Sequence, residues 1–104
     1  MMGKWVNVKE LIEYPREGIL SKELVKADEF NITLFCMSGG TEISEHTSTK
    51  EGFLIVLEGE GTFNLEGEDI SMKPGIFIFI EKNAAHSLKA DENTAFILSL
   101  CGSR

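Results

Sequence analysis

Cysteine is scarce in this sequence, with two residues among 104. Cys36 and Cys101 lie far apart in apolar, strand-like stretches, whereas a fold held together by disulfides needs a denser set of cysteines. This scarcity argues against a small secreted disulfide scaffold. We therefore expect two free, buried thiols in a reducing compartment and predict a cytoplasmic location.

Long apolar runs and an excess of positive charge are also missing. No run approaches the roughly 20 apolar residues that cross a bilayer, and the first residues form no apolar signal segment. Seventeen acidic residues against ten basic ones give a net charge of −7. That charge opposes binding to nucleic acid and to anionic membranes, so we predict neither as a partner.

The common catalytic signatures are absent as well. The sequence contains no G-x-S-x-G nucleophile motif, no C-x-x-C pair, no phosphate-binding glycine loop and no H-E-x-x-H zinc motif. Histidine, the most frequent metal ligand and general base, occurs only at His46 and His86. Imidazole chemistry in this chain must therefore use these two residues.

What the sequence does contain is a regular succession of short strand-like segments. They are rich in β-branched and aromatic residues, with glycine- or proline-containing turns about eight to twelve residues apart. Such spacing is typical of an antiparallel sandwich or small barrel, and the length corresponds to one domain, residues 1–104. We predict strands over residues 19–26, 31–37, 41–47, 53–57, 62–65, 69–72, 76–80, 85–89 and 94–101.

One helical segment is predicted before the first strand. Asn7 can cap a helix and Glu10 follows three positions later, while Pro15 and Gly18 end the segment. We expect a short helix or helical turn over residues 8–14. Among the later turns, residues 73–75 read Lys-Pro-Gly, which predicts a type II turn because proline fixes φ and the glycine after it tolerates a positive φ.

The spacing of the histidines relative to the glycines resembles two motifs of the cupin superfamily, G-x5-H-x-H-x3-E-x6-G and G-x5-P-x-G-x2-H-x3-N. Gly40, His46 and Gly59 match the first motif, and Gly75 and His86 match the second. The resemblance covers about residues 30–100. It implies an all-β fold, a double-stranded antiparallel β-barrel of the jelly-roll type, with the short N-terminal helical segment added to it.

The ligand positions of these motifs are only half retained. Ser48 stands where the family has its second histidine, and Gly52 stands where it has a glutamate. In the second motif Glu81, Asn83 and Ala90 replace the proline, glycine and asparagine. Two of the four protein ligands usual in the family therefore remain.

The resemblance implies that His46 and His86 converge inside the barrel. Because side chains alternate along a strand, we expect Ser48 to face the same way as His46 and to contact the same ligand. Glu42 and Ser44 share this parity, so the carboxylate of Glu42 would reach the same site if no bulge intervenes. Two imidazoles can bind Zn²⁺, Fe²⁺, Mn²⁺, Ni²⁺ or Cu²⁺, although catalytic zinc centres usually have three protein ligands.

Three functions are open at this point. The first is a binding module that holds a small molecule or a loosely bound divalent metal through the histidines. The second is a metal-dependent enzyme, dioxygenase- or isomerase-like, with a two-histidine site. The third is a structural dimer with a vestigial site. We rank binding first, because enzymes of this family mostly keep the ligands that are missing here.

A homodimer is also predicted, because barrel edges and an apolar N-terminal segment need to be covered. That segment comprises Trp5, Val6, Val8, Leu11 and Ile12. Cysteine usually packs in the interior, so neither Cys36 nor Cys101 is expected to be a metal ligand. The phenylalanines are expected to fill the core or a dimer face, namely Phe35, Phe53, Phe63, Phe77, Phe79 and Phe96.

Overall fold

The structure is a computed structural model that describes residues 3–102 and contains nine strands and one short helical turn. The bounds of the strands agree with the sequence prediction to within a few residues. The elements are a 3-10 turn at Val8–Leu11, then β1 Ile19–Lys26, β2 Phe30–Met37, β3 Glu42–His46, β4 Glu51–Glu58, β5 Gly61–Leu65, β6 Glu68–Met72, β7 Phe77–Ile80, β8 His86–Ala90 and β9 Thr94–Cys101.

The strands form two antiparallel sheets, so the predicted all-β architecture is confirmed. One sheet has five strands in the order β1-β2-β9-β4-β7, and the other has four in the order β3-β8-β5-β6. Their facing sides enclose the main core, which includes Leu54, Phe63, Met72, Ile78 and Phe96. These residues alternate with outward-facing ones, as expected for strands with one buried face.

The N-terminal helix is shorter than predicted. Only Val8–Leu11 is helical, as a 3-10 turn whose cap, Asn7, accepts a hydrogen bond from the Lys9 backbone N–H at 3.1 Å. The turn ends at Ile12, whose backbone is extended with φ −65° and ψ 126°. Ile12 and Tyr14 then pack against the five-stranded sheet. Among the described residues this turn is the only helix, and it is far too short and too polar to cross a membrane.

The N-terminal segment covers part of the outer face of the five-stranded sheet. Val8, Leu11, Ile12 and Tyr14 pack against a second buried cluster of four residues, namely Leu24, Leu34, Cys36 and Ala95. These side chains are half-buried, so the sheet of the same chain covers part of the apolar N-terminal segment. Trp5 is the exception, with 81% of its surface exposed.

The predicted turn at residues 73–75 is present. The backbone N–H of Ile76 donates to the Lys73 carbonyl at 3.0 Å, and Gly75 has a φ of 92°. That φ lies in the region that glycine reaches without steric cost. The turn sets the start of β7, which is the edge strand of the five-stranded sheet.

Candidate functional site

The two histidines face each other across neighbouring strands. His46 is the last residue of β3, His86 is the first of β8, and the two are directly paired in the antiparallel register. Their ring centroids lie 4.2 Å apart with an interplanar angle of 61°. The prediction that both histidines converge on one side of the sheet is confirmed.

A β-bulge in β3 produces this arrangement. Ile43 pairs with Leu88 and His46 with His86, so three steps along β3 correspond to two along β8. The extra residue restores the alternation and puts Ile43 and His46 on the same inner face. It also reverses the parity expected for Glu42: this carboxylate, like Ser44, is exposed and borders a groove on the outer surface of the four-stranded sheet. The predicted contribution of Glu42 or Ser44 to the histidine site is therefore wrong.

The histidines differ in exposure but share the same backbone contact. His86 is buried, whereas His46 lies exposed at the open end of the site. Nδ1 of His46 lies 2.9 Å from the Ser44 carbonyl oxygen, and Nδ1 of His86 lies 2.9 Å from the Ala84 carbonyl oxygen. The His86 ring also stacks on Phe63, with centroids 5.7 Å apart and an interplanar angle of 7°. Both rings are thus oriented by contacts close to their own strands.

The histidine pair lies at the wall of a cavity of about 230 Å³ between the two sheets. Apart from the histidines, its lining is apolar and comes from both sheets. Phe35 and Phe96, with centroids 5.3 Å apart, stack on the five-stranded side. The lining residues are Phe35, Ile43, His46, Leu54, Phe63, His86, Leu88, Phe96 and Leu98.

Sequence reasoning identified the two polar residues of this cavity but not most of its apolar lining. Leu88 could have been predicted from the sequence, because it lies two positions from His86 on the same face of a strand. Ile43 was not, because an unbroken alternation puts it opposite His46. Leu54 and Leu98 belong to the other sheet, and only the sheet packing brings them to the histidines.

Ser48 and Gly52 supply no ligand beside the histidines. Ser48 lies in the turn after β3, where its hydroxyl accepts a hydrogen bond from the Lys50 backbone N–H at 3.1 Å, and it does not line the cavity. Gly52 lies in β4 with its backbone against the Ser99 carbonyl oxygen, where a Cβ would collide. Among residues 3–102 no group of three or more histidine, cysteine or carboxylate side chains is arranged to hold a metal ion.

The cysteines lie away from the cavity. Cys36 is buried in the cluster on the outer side of the five-stranded sheet, and Cys101 ends β9 with its sulfur 3.9 Å from the Ser99 hydroxyl. Both are free thiols.

Comparison with known proteins identifies the family. The model of the cupin domain family matches residues 33–101, which is about two thirds of the chain. The chain belongs to the cupin family.

Several proteins are similar to this chain in sequence or in fold. An uncharacterized protein of Aquifex aeolicus is 30% identical over 97 residues, which cover 90% of this cupin and 79% of that protein. The crystal structure of a conserved protein of unknown function from Streptococcus pyogenes superposes with a TM-score of 0.88 at 22% identity, covering 100% of this chain and 91% of that one. A cupin 2 conserved barrel domain protein from Leptotrichia buccalis gives 0.85 at 28% identity, over 92% of this chain and 47% of that one. The cupin-type barrel predicted from the sequence is confirmed.

Proposed function

We propose that this cupin binds a small, largely apolar molecule inside its barrel, with His46 and His86 holding the polar end of the ligand. The observation that carries the proposal is the cavity itself: among the described residues that line it, the two histidines alone are polar. Ligand sites in proteins are typically concave and apolar, with a few convergent polar groups. The cavity of about 230 Å³ supports this function over a purely structural dimer, for which we expect a barrel filled by side chains.

The same pair is proposed to hold a divalent transition metal loosely. Two imidazoles suit Zn²⁺, Fe²⁺, Mn²⁺, Ni²⁺ and Cu²⁺, and the contact of each Nδ1 with a backbone carbonyl leaves Nε2 for the ion. In metal sites, such a contact fixes the tautomer of the ligating histidine. With two protein ligands, water or the organic ligand must fill the remaining positions, so we expect weak binding.

Metal-dependent catalysis is the alternative function. A dioxygenase- or isomerase-like centre would need substrate and water to complete the coordination of the two histidines. Catalytic zinc centres usually have three protein ligands, and neither Ser48 nor Gly52 offers the third. Binding is therefore the function that the geometry supports best.

Calorimetric titration of tag-free protein with Zn²⁺ or Ni²⁺ tests the metal part of the proposal. We expect a dissociation constant in the micromolar range or weaker, and loss of binding in the His46→Ala variant. Ser87→Ala is the matched control, because Ser87 follows His86 in β8 but faces the outer groove. Binding that survives His46→Ala, or is equally lost in Ser87→Ala, would contradict a site formed by the histidine pair.

We further propose that the protein is a homodimer and acts in the cytoplasm. The dimer proposal rests on an uncovered apolar face beside β7, where Phe77 and Phe79 are 57% and 51% exposed. The cytoplasmic location rests on the two free thiols, since exported proteins tend to oxidise their cysteines. Both proposals are independent of what the barrel binds.

A further inference from the structure

We propose that the barrel selects a ligand whose head group donates a hydrogen bond, such as a small aromatic or aliphatic alcohol, over a carboxylate of the same shape. This inference rests on the proposed function, because it concerns the same cavity and the same two histidines. It adds the chemical class of the ligand.

The backbone contacts of the histidines set their hydrogen-bonding polarity. A carbonyl oxygen only accepts hydrogen bonds, so Nδ1 of His46 must donate to Ser44, and Nδ1 of His86 must donate to Ala84. A neutral imidazole carries one N–H, and with that proton on Nδ1 its Nε2 is an acceptor. With the Nδ1 protons used in this way, neither of the two rings that line the cavity keeps an N–H donor for a ligand, and each keeps Nε2 as an acceptor.

Neither acceptor is used by the protein. Within residues 3–102 no hydrogen bond reaches Nε2 of His46 or of His86. His86 is 7% exposed, and among the described residues no fully buried side-chain nitrogen or oxygen lacks a hydrogen bond. Because Nε2 of His86 has no hydrogen bond, this atom is not fully buried and borders open space. A hydroxyl entering the cavity can donate to this nitrogen without displacing any protein contact.

In the metal-free protein a carboxylate finds no donor in the same place. The other lining residues are apolar, and each carboxylate oxygen that loses its hydration without a hydrogen bond raises the free energy of the bound state. The geometry therefore favours a neutral donor.

The size of the cavity limits the ligand to about one ring. An engineered protein cavity of about 150 Å³ accommodates benzene, so about 230 Å³ leaves room for a ring and a short substituent. Phe63, stacked parallel to His86, provides a flat surface beside the head-group position. Benzyl alcohol, toluene and benzoate share one ring and differ only in the head group, which makes them suitable probes.

NMR titration of the uniformly ¹⁵N-labelled protein, freed of metal by EDTA, with these three probes tests the inference. We expect benzyl alcohol to bind about fivefold more tightly than toluene, the factor that one net hydrogen bond provides, and benzoate to bind more weakly than toluene. Long-range ¹H–¹⁵N correlation should also show the Nδ1–H tautomer for both rings, and with two histidines in the chain the assignment is direct.

Variants separate this inference from the proposed function. In His46→Ala and in His86→Leu the advantage of benzyl alcohol over toluene should shrink, whereas Ser87→Ala should keep it. If toluene equals benzyl alcohol, or benzoate binds most tightly, the head-group preference is wrong although the cavity still binds ligands. If none of the three probes binds, both the preference and the proposed binding of small apolar molecules are overturned. The His46 variant is decisive if His86→Leu does not fold, because His46 is exposed.

Discussion

Gly52 explains at the level of one residue why the carboxylate ligand of the family is missing here. Its backbone lies so close to β9 that a Cβ would collide with the carbonyl oxygen of Ser99. A backbone oxygen in the middle of a sheet cannot move aside as a flexible side chain would. We therefore expect Gly52→Ala to lower the free energy of unfolding by about 1–3 kcal/mol through overpacking, measured by urea denaturation.

The neighbouring residue provides the control for this prediction. Glu51 lies in the same strand with its side chain exposed, so Glu51→Ala should change stability by less than about 0.5 kcal/mol. It follows that rebuilding a four-ligand site by Ser48→His with Gly52→Glu will destabilise the barrel instead of strengthening metal binding. A Gly52→Ala protein as stable as the parent would show that the two strands can separate at little cost.

The two thiols differ in accessibility. Cys36 has no exposed surface, whereas Cys101 is half-buried at the end of β9. We expect a disulfide reagent such as DTNB to react with one thiol in the folded protein and with the second only after unfolding in urea. The Cys101→Ser variant should lose the fast reaction. Fast reaction of both thiols would mean that the sheet around Cys36 opens readily.

At the scale of single residues, the sequence was sufficient to predict the histidine pair but not its surroundings. His46 and His86 were predictable because their spacing from Gly40 and Gly75 resembles the cupin motifs, and this resemblance implies that both face the barrel interior. The role of Glu42 was not, because one extra residue in β3 reverses the parity of everything before it. No residue in Ser44-Glu45 is typical of a bulge, so the bulge appears only in the pairing with β8.

Among the elements, the N-terminal segment is joined to the sheet by side-chain contacts that sequence patterns did not predict. The Tyr14 hydroxyl donates to the Glu58 carboxylate at 2.6 Å, joining the extended stretch after the 3-10 turn to the end of β4. Burial and this hydrogen bond raise the pKa of the Tyr14 phenol above its ordinary value of 10.0. In the sequence, Glu58 is one residue of an acidic turn and has no evident partner. Its hydrogen bond to Tyr14 arises only when the N-terminal segment packs on the sheet.

Because of this contact, we expect the stability of the protein to change with pH in the alkaline range. In the unfolded chain the phenol ionises near pH 10, whereas in the folded protein it keeps its proton to higher pH. The contribution of Tyr14 to stability is therefore complete below about pH 10 and is lost as the pH rises above that value. We expect the free energy of unfolding to fall above pH 10 in the parent and to fall less in Tyr14→Phe.

Absorbance at 295 nm measures this ionisation directly, because Tyr14 is the only tyrosine in the chain. The folded protein should show little tyrosinate at pH 10–11, and the same sample in urea should titrate near pH 10. Titration of the folded protein near pH 10 would contradict the raised pKa and indicate that the segment detaches from the sheet.

For the whole molecule, the barrel was predictable because turns and strand lengths are encoded locally. Lys73-Pro74-Gly75 fixed the start of β7, and the glycines at positions 40 and 59 bounded β3 and β4. The length of the N-terminal helix was less predictable, because packing on the sheet outweighs a weak local helix signal. The cavity could not be predicted at all, since it depends on how two sheets from distant parts of the chain pack together.

The outer face of the five-stranded sheet is covered on one half only. The N-terminal segment packs over the half around β1, β2 and β9, and leaves the half around β4 and β7 open. There Phe53 and Phe77 stack with centroids 5.2 Å apart, and Phe79 lies opposite Phe53 in the pairing of the two strands. Because β7 is also an edge strand, this face combines exposed aromatic surface with unpaired backbone, which favours association with a second copy.

We expect light scattering at micromolar concentration to give a mass near 23 kDa, twice the 11.5 kDa of the monomer. The double variant Phe77→Ser/Phe79→Ser should shift the mass towards 11.5 kDa without unfolding the chain, because both side chains are more than half exposed. Trp5→Ser is the matched control, since it removes an exposed aromatic residue from the N-terminal segment and should leave the dimer intact. If Trp5→Ser dissociates the dimer and the double variant does not, the contact lies at the N-terminal segment. A parent protein that remains at 11.5 kDa would refute the homodimer.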